Sequence, residues 1–230
     1  MPRTKTTIAA TNWQQEPPAS RYAATLEREN PVGDSAGERI CLFGGTFDPI
    51  HNAHLRIALE SLKALQLTRV LFVPAGHPPH KQLSQITPYE HRFRMAELAC
   101  AGWPCFVASR LEEGDDYSYS IDSVTKLRQS LSPPDRLFFL IGSDAFDEIE
   151  TWHRWQDLVR EVEFIVVSRP GTEFRIAPGA RVHRLDGLAL PVSSTGIRDR
   201  LARGEPTPEL PPEVRGYIER HSLYGFPLES

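Results

Sequence analysis

From Arg39 onward, short apolar runs alternate with stretches of helical periodicity. Ile40, Cys41, Leu42 and Phe43 form an unbroken apolar run of the kind found in strands buried on both faces. Leu55, Ala58, Leu59, Leu62 and Leu65 follow at spacings that gather them on one face of a helix. Residues 70–73 predict a second strand, ended by Pro74, which has no N–H to donate to a ladder. Residues 91–98 read as a helix and residues 106–108 as another short strand. Residues 120–131 predict a helix stopped by Pro133 and Pro134, before a strand over 136–141. A further strand over 163–167 runs into Arg169, Pro170 and Gly171, and helical patterns then cover 195–203 and 212–221. This alternation predicts a single α/β, Rossmann-like domain with a doubly wound parallel sheet. Sheets of that kind bind ligands at the carboxyl ends of their strands.

Residues 1–38 differ from the rest. They carry Gln14, Gln15, Glu16, Pro17, Pro18, Asn30, Pro31 and Gly33 without sustained apolar periodicity. That composition predicts a disordered extension before a domain over 39–230. The 26 Lys and Arg against 30 Asp and Glu give a net charge of −4, which excludes a bulk electrostatic grip on nucleic acid. Cys41, Cys100 and Cys105 have no CxxC spacing and sit among apolar residues, as buried thiols in a reducing compartment do. Apolar runs such as Leu137 to Ile141 are too short to span a membrane, and the first thirty residues lack a signal-peptide core. The expected location is cytoplasmic. No feature of the sequence sets an oligomeric state.

The first strand opens into Gly44, Gly45, Thr46, Phe47, Asp48, Pro49, Ile50, His51, Asn52, Ala53 and His54, after which a helix begins. Glycines there let backbone N–H groups approach an anion, and a helix amino end adds positive potential. Neither GxGxxG nor GxxxxGK[ST] occurs, so neither common phosphate fingerprint explains the loop. His51 and His54 fall on one side of a helix start. Two imidazoles so placed suit charge growing on phosphate oxygens, but also a plain glycine turn with surface histidines, or a zinc pair. Ser193, Ser194, Thr195 and Arg198 open a late helix. Hydroxyls there cap a helix, and together with an arginine fork they also make a triphosphate clamp.

The first segment resembles the GxFDxxHxGH signature of the nucleotidyltransferase superfamily, with Ala53 where glycine is usual. The second resembles that superfamily's (I/V)SSTxIR motif. The likeness covers roughly 39–226 and is strongest to bacterial nicotinate-nucleotide adenylyltransferases. Val73 to Lys81, with Pro78, Pro79 and His80, is similar to the segment after their second strand, and residues 91–95 resemble their next helix. Gly142 and Asp144 lie in an IGxD-like segment, Trp152 and His153 in a TW-like one. Tyr117 to Ser120 resembles SYT, with Ser120 for the usual threonine. The resemblance implies AMP transfer from ATP to nicotinate mononucleotide, with Mg²⁺ on the triphosphate. It implies catalytic roles for His51 and His54, and ATP binding by Gly44, Gly45, Thr46, Phe47, Gly142, Asp144, Ser193, Ser194, Thr195 and Arg198. Acceptor contacts fall to Lys81, Ser120, Trp152 and His153. Isolated, Asp144 reads sooner as a helix cap, and Trp152 as core or helix-docking surface. The alternatives are nicotinamide mononucleotide or another phosphate acceptor, and a nucleotide sensor without transfer activity.

Overall fold

The computed structural model describes residues 6–7 (backbone only), 37–78, 86–114, 116–169, 171–188 and 192–227. The strands are β1 (Thr6–Thr7), β2 (Arg39–Gly45), β3 (Arg69–Pro74), β4 (Phe106–Ala108), β5 (Arg136–Gly142), β6 (Glu163–Ser168) and β7 (Arg181–Asp186). The helices are α1 (Asn52–Ala64), α2 (Tyr89–Cys100), α3 (Ser120–Arg128), α4 (Ser143–Asp147), α5 (Trp155–Glu161), α6 (Ser194–Ala202) and α7 (Pro212–Arg220). One parallel sheet runs in the order β1-β7-β6-β5-β2-β3-β4. The chain steps outward from β2 through β3 to β4, then returns to lay β5 on the other side of β2. This reversal opens a crevice at the carboxyl ends of β2 and β5, the place where doubly wound sheets hold ligands.

Strand alternation sorts the core into two faces. Phe138, Leu140, Ile165 and Phe72 pack with Leu55 and Leu59 of α1, Met95 of α2 and Ile197 of α6. Leu137, Phe139, Ile141, Phe164 and Val166 pack with Val124 of α3, Phe146 of α4 and Leu158 of α5. Both faces of the central strands are therefore apolar, which is why these strands read as continuous hydrophobic runs.

Several elements depart from the pattern read along the chain. Helix α3 stops at Arg128 rather than at 131. The Ser130 amide and hydroxyl both donate to the Leu127 carbonyl, at 3.0 and 2.7 Å, occupying the acceptor that a further turn would need. Strand β7, next to the sheet edge, mixes Arg181, His183, Arg184 and Asp186 with Val182 and Leu185, and only Leu185 is buried. Helices α4 and α5 span 5 and 7 residues, too few to show a helical period. Within the expected extension, Thr6–Thr7 pair with Leu185 and Asp186 as an edge strand. Residues 1–5 and 8–36, the remainder of that expectation up to Gly37, lie outside the described residues.

Candidate active site

The crevice holds a cavity of about 430 Å³ lined by Phe43, His51, His54, Gly142, Asp144, Ser193 and Ser194, among others. Helix α1 begins at Asn52, inside the loop read from the sequence, so His51 is its N-cap and His54 its third residue. Their rings stack with centroids 3.7 Å apart and planes inclined by 21°. The His51 amide donates to His54 Nδ1 at 3.2 Å. In a neutral imidazole this leaves the proton on Nε2, so His54 presents an N–H donor there. Burial, reinforced by His51, holds the His54 pKa well below its ordinary value. Burial also brings His51 down to about 4, against the raising effect of the Glu209 carboxylate.

Beneath the pair, Phe47 adopts φ 48°, a left-handed conformation that strains a residue with a side chain. This turns its ring edge-on to His54 at 5.1 Å and to Phe43 at 5.5 Å. Gly45 makes room for it, since a Cβ there would sit 3.1 Å from the ring. Phe47 is buried and, with Gly44, Gly45 and Thr46, forms the support of the pair rather than the cavity wall.

Helix α6 is fastened to the same loop. Ser193 Oγ caps it by accepting from the Gly196 amide at 3.1 Å. Ser194 Oγ donates to the Pro49 carbonyl at 3.0 Å, and Arg198 Nη1 to the Asp48 carbonyl at 2.7 Å. Arg198 Nη2 also reaches Thr195 Oγ1 at 3.2 Å. Ser193 is thus a cap and a cavity residue together, while Thr195 and Arg198 are not among the residues that line this cavity.

A second group gathers beside the first. The His77 amide donates to Ser118 Oγ at 3.0 Å, and the Ser118 amide to the His77 carbonyl at 2.9 Å. Tyr117 lies on His77 with centroids 4.5 Å apart, and Tyr119 on His153 at 4.4 Å. Trp152 sets its edge on Phe139 at 6.3 Å, and Ser120 begins α3. Residues 117–120 therefore bridge the segment after β3 to the His153 turn. Ser120, Trp152 and His153 do not line the cavity of the histidine pair. Lys81 lies outside the described residues.

The cytidylyltransferase-like family model matches residues 42–200. A relative from Solibacter usitatus, named as a probable nicotinate-nucleotide adenylyltransferase, is 52% identical over 186 residues, covering 81% of this chain and 99% of that protein. One of the same name from Geobacillus kaustophilus is 42% identical, covering 81% and 86%. The chain belongs to the nicotinate-nucleotide adenylyltransferase family. Its fold is shared with the Plasmodium falciparum nicotinic acid mononucleotide adenylyltransferase solved with NaAD. That match has a TM-score of 0.67 at 23% identity, over 84% of this chain and 100% of the other.

In this adenylyltransferase three residues outside the sequence-based site hold the site together. Arg92 donates to the Thr87, Thr46 and Gly76 carbonyls at 2.8, 3.0 and 3.4 Å. Asp48 accepts from Tyr224 Oη at 2.7 Å and from the Thr87 amide at 3.3 Å. Glu209 accepts the Asn52 amide on its carbonyl at 2.8 Å. Proximity in sequence gives no sign of these links, apart from the basic pattern around Arg92. Gly76 is fixed in the same way, because a Cβ would lie 2.1 Å from the Glu112 carbonyl oxygen.

The buried imidazoles make the empty enzyme acid-sensitive. In the unfolded chain each His binds a proton near pH 6.5, whereas folded His51 waits until about 4. Between those values the unfolded state carries more protons, so stability falls as pH falls. The shift corresponds to about 3 kcal/mol for His51. A series of unfolding midpoints from pH 7 to 4 is expected to decline steeply, and less so in His51→Asn; parallel curves would remove His51 as the cause.

Proposed function

We propose that the protein transfers the adenylyl group of ATP to nicotinate mononucleotide, giving the dinucleotide and pyrophosphate. The observation that carries this reading is the stacked His51–His54 pair opening onto a cavity also lined by the Ser193 end of α6. An acceptor phosphate oxygen attacks the α-phosphorus, a new P–O bond forms, and the bond to the β-phosphate oxygen breaks as pyrophosphate leaves. Negative charge grows on the α-phosphate oxygens, and imidazole N–H donors fixed by the fold meet it without reorganising. No covalent enzyme intermediate is needed.

Asp144 and Gly142, at the mouth of β5, are assigned to the adenosine side, and the amino end of α6 to the distal phosphates. Mg²⁺ is assigned to the triphosphate itself, whose charge it would neutralise. Among the described residues no cluster of three or more His, Cys, Asp or Glu is built to hold a metal. No helix of the described residues is long and apolar enough to cross a membrane. We take the enzyme to be cytoplasmic and its partners to be small nucleotides, the latter in keeping with the net charge of −4.

For the acceptor, residues 117–120 together with Trp152 and His153 support the acid over the amide. Tyr119 packed on His153 brings those two segments side by side. A carboxylate accepts from N–H donors on both oxygens, whereas an amide sets its own NH₂ against one of them. An unpaired buried donor costs about 1–3 kcal/mol, so kcat/KM is expected to favour nicotinate over nicotinamide mononucleotide by about tenfold to a hundredfold. Parallel assays with both acceptors decide it. Equal values would sink the acid preference and leave adenylyl transfer standing.

A further inference from the structure

Near the head of α1 two buried polar atoms lack partners among the described residues. The His54 amide lies over the His51 side chain but donates to the His51 carbonyl at 2.9 Å. His51 Nδ1 is left without a hydrogen bond, although His51 is only 4% exposed. Glu209 is the other orphan. Its Oε1 accepts from Arg200 Nη2 at 2.8 Å, while Oε2 is buried with no partner. The Glu209 segment is tied to the head of α1, since the Asn52 amide donates to the Glu209 carbonyl at 2.8 Å and Asn52 Nδ2 to the Pro208 carbonyl at 3.3 Å. A carboxylate with a spare oxygen is thus held next to the residue that follows His51.

Orphaned buried polar atoms are costly, and a fold that keeps two of them near one helix start calls for a state that uses them. Entry of a triphosphate brings several negative charges to the open side of His51, which favours the doubly protonated ring. An imidazolium carries N–H on both nitrogens and so needs an acceptor behind it as well as the phosphate in front.

We propose that Glu209 is a positioning residue for His51, its free carboxylate oxygen supporting the imidazolium that forms when the triphosphate enters. The proton comes from solvent on nucleotide binding and returns when pyrophosphate leaves. Among the other charged and titratable groups of the site, Asp144 and Arg169 line the same cavity as His51. His54 is stacked on it at 3.7 Å and takes the backbone amide on Nδ1. Arg198 is turned to the Asp48 carbonyl, Arg200 to Glu209, and the Asp48 carboxylate to Tyr224 and the Thr87 amide. The opposing influence of Glu209 on a ring held down by burial agrees with this arrangement.

This inference rests on the adenylyltransferase reading, and its test needs no acceptor. Binding of the Mg²⁺ complex of α,β-methylene ATP is followed by calorimetry in buffers of different ionisation enthalpy, which counts protons taken up. Wild type is expected to take up about one proton near neutral pH, and Glu209→Gln less than half of that with about tenfold weaker binding, as a one-unit pKa change implies. His51→Asn is the second variant, and in it the proton disappears with the ring. Equal uptake in wild type and Glu209→Gln, or undiminished uptake in His51→Asn, overturns the role of Glu209 alone. Failure of the wild type to bind the analogue overturns the adenylyltransferase reading and this inference with it.

Discussion

His54→Ala is expected to lower kcat by about a hundredfold to a thousandfold while ATP affinity changes far less. The size follows from removing one preorganised donor at developing charge, a loss of about 2.7–4 kcal/mol. The geometry says why the donor is preorganised. Nδ1 of His54 is already engaged by the His51 amide at 3.2 Å, so the ring cannot flip without losing that bond. The ring is packed on as well, by His51 stacked at 3.7 Å and by Phe47 standing perpendicular at 5.1 Å. The free nitrogen therefore points one way, and the fold has absorbed the cost of fixing it before substrate arrives. Alanine at the third position of α1 suits a helix, which keeps the comparison clean. Steady-state kinetics and ATP-analogue binding measured on one preparation separate the two effects. A variant turning over within about threefold of wild type would make the pair a packing feature rather than the donor set that electrostatic catalysis requires.

How much of this was legible beforehand depended on the range of the signal. Strands buried on both faces announce themselves as apolar runs, so β2, β3, β5 and β6 were plain in residues 40–43, 70–73, 136–141 and 163–167. The histidine pair and the serine-rich start of α6 are local motifs, and three-residue spacing at a helix start suffices to stack His51 on His54. What local reading missed is what joins the motifs. Ser194 and Arg198 meet the carbonyls of Pro49 and Asp48 across 145 and 150 residues of chain, and Tyr224 meets Asp48 across 176. Gly45 was legible as a special residue, but part of its reason is a neighbour, the Phe47 ring that a Cβ would crowd. Strand β7 escaped because a strand next to the sheet edge, with Arg181 exposed and His183 and Arg184 partly so, has no hydrophobic run to show. Glu209 sits in a polar turn that looks like any other solvated loop until Asn52 is found bonded to it.

The largest loss of stability is expected from Arg92→Ala, about 3–5 kcal/mol, because it removes one side of a buried charge network. Arg92 is 1% exposed and sits at the junction of three segments that share no sequence proximity. Its guanidinium holds the Thr46 carbonyl of the histidine loop, the Gly76 carbonyl of the segment after β3, and the Thr87 carbonyl before α2. Asp48, buried at 5% exposure, is a negative charge near enough to favour the charged guanidinium, and its carboxylate is held by Tyr224 and the Thr87 amide. Taking away the arginine removes a neighbouring positive charge from that carboxylate and leaves one buried and two part-buried carbonyls short of a donor. Arg92→Lys keeps the charge but not the planar fork, so one ammonium cannot serve three carbonyls in the same geometry, and an intermediate loss is expected. Combining Arg92→Met with Asp48→Asn tests the electrostatic part, since the double variant should lose less than the sum of the single ones. Urea unfolding midpoints with unchanged slopes give these differences directly. Activity is expected to fall through KM for both substrates, because the loops flanking the cavity lose their common anchor while His54 keeps its donor. A loss below about 1 kcal/mol for Arg92→Ala would mean that the loops hold their places without the guanidinium, and additive single losses would mean that Arg92 and Asp48 do not act as a pair.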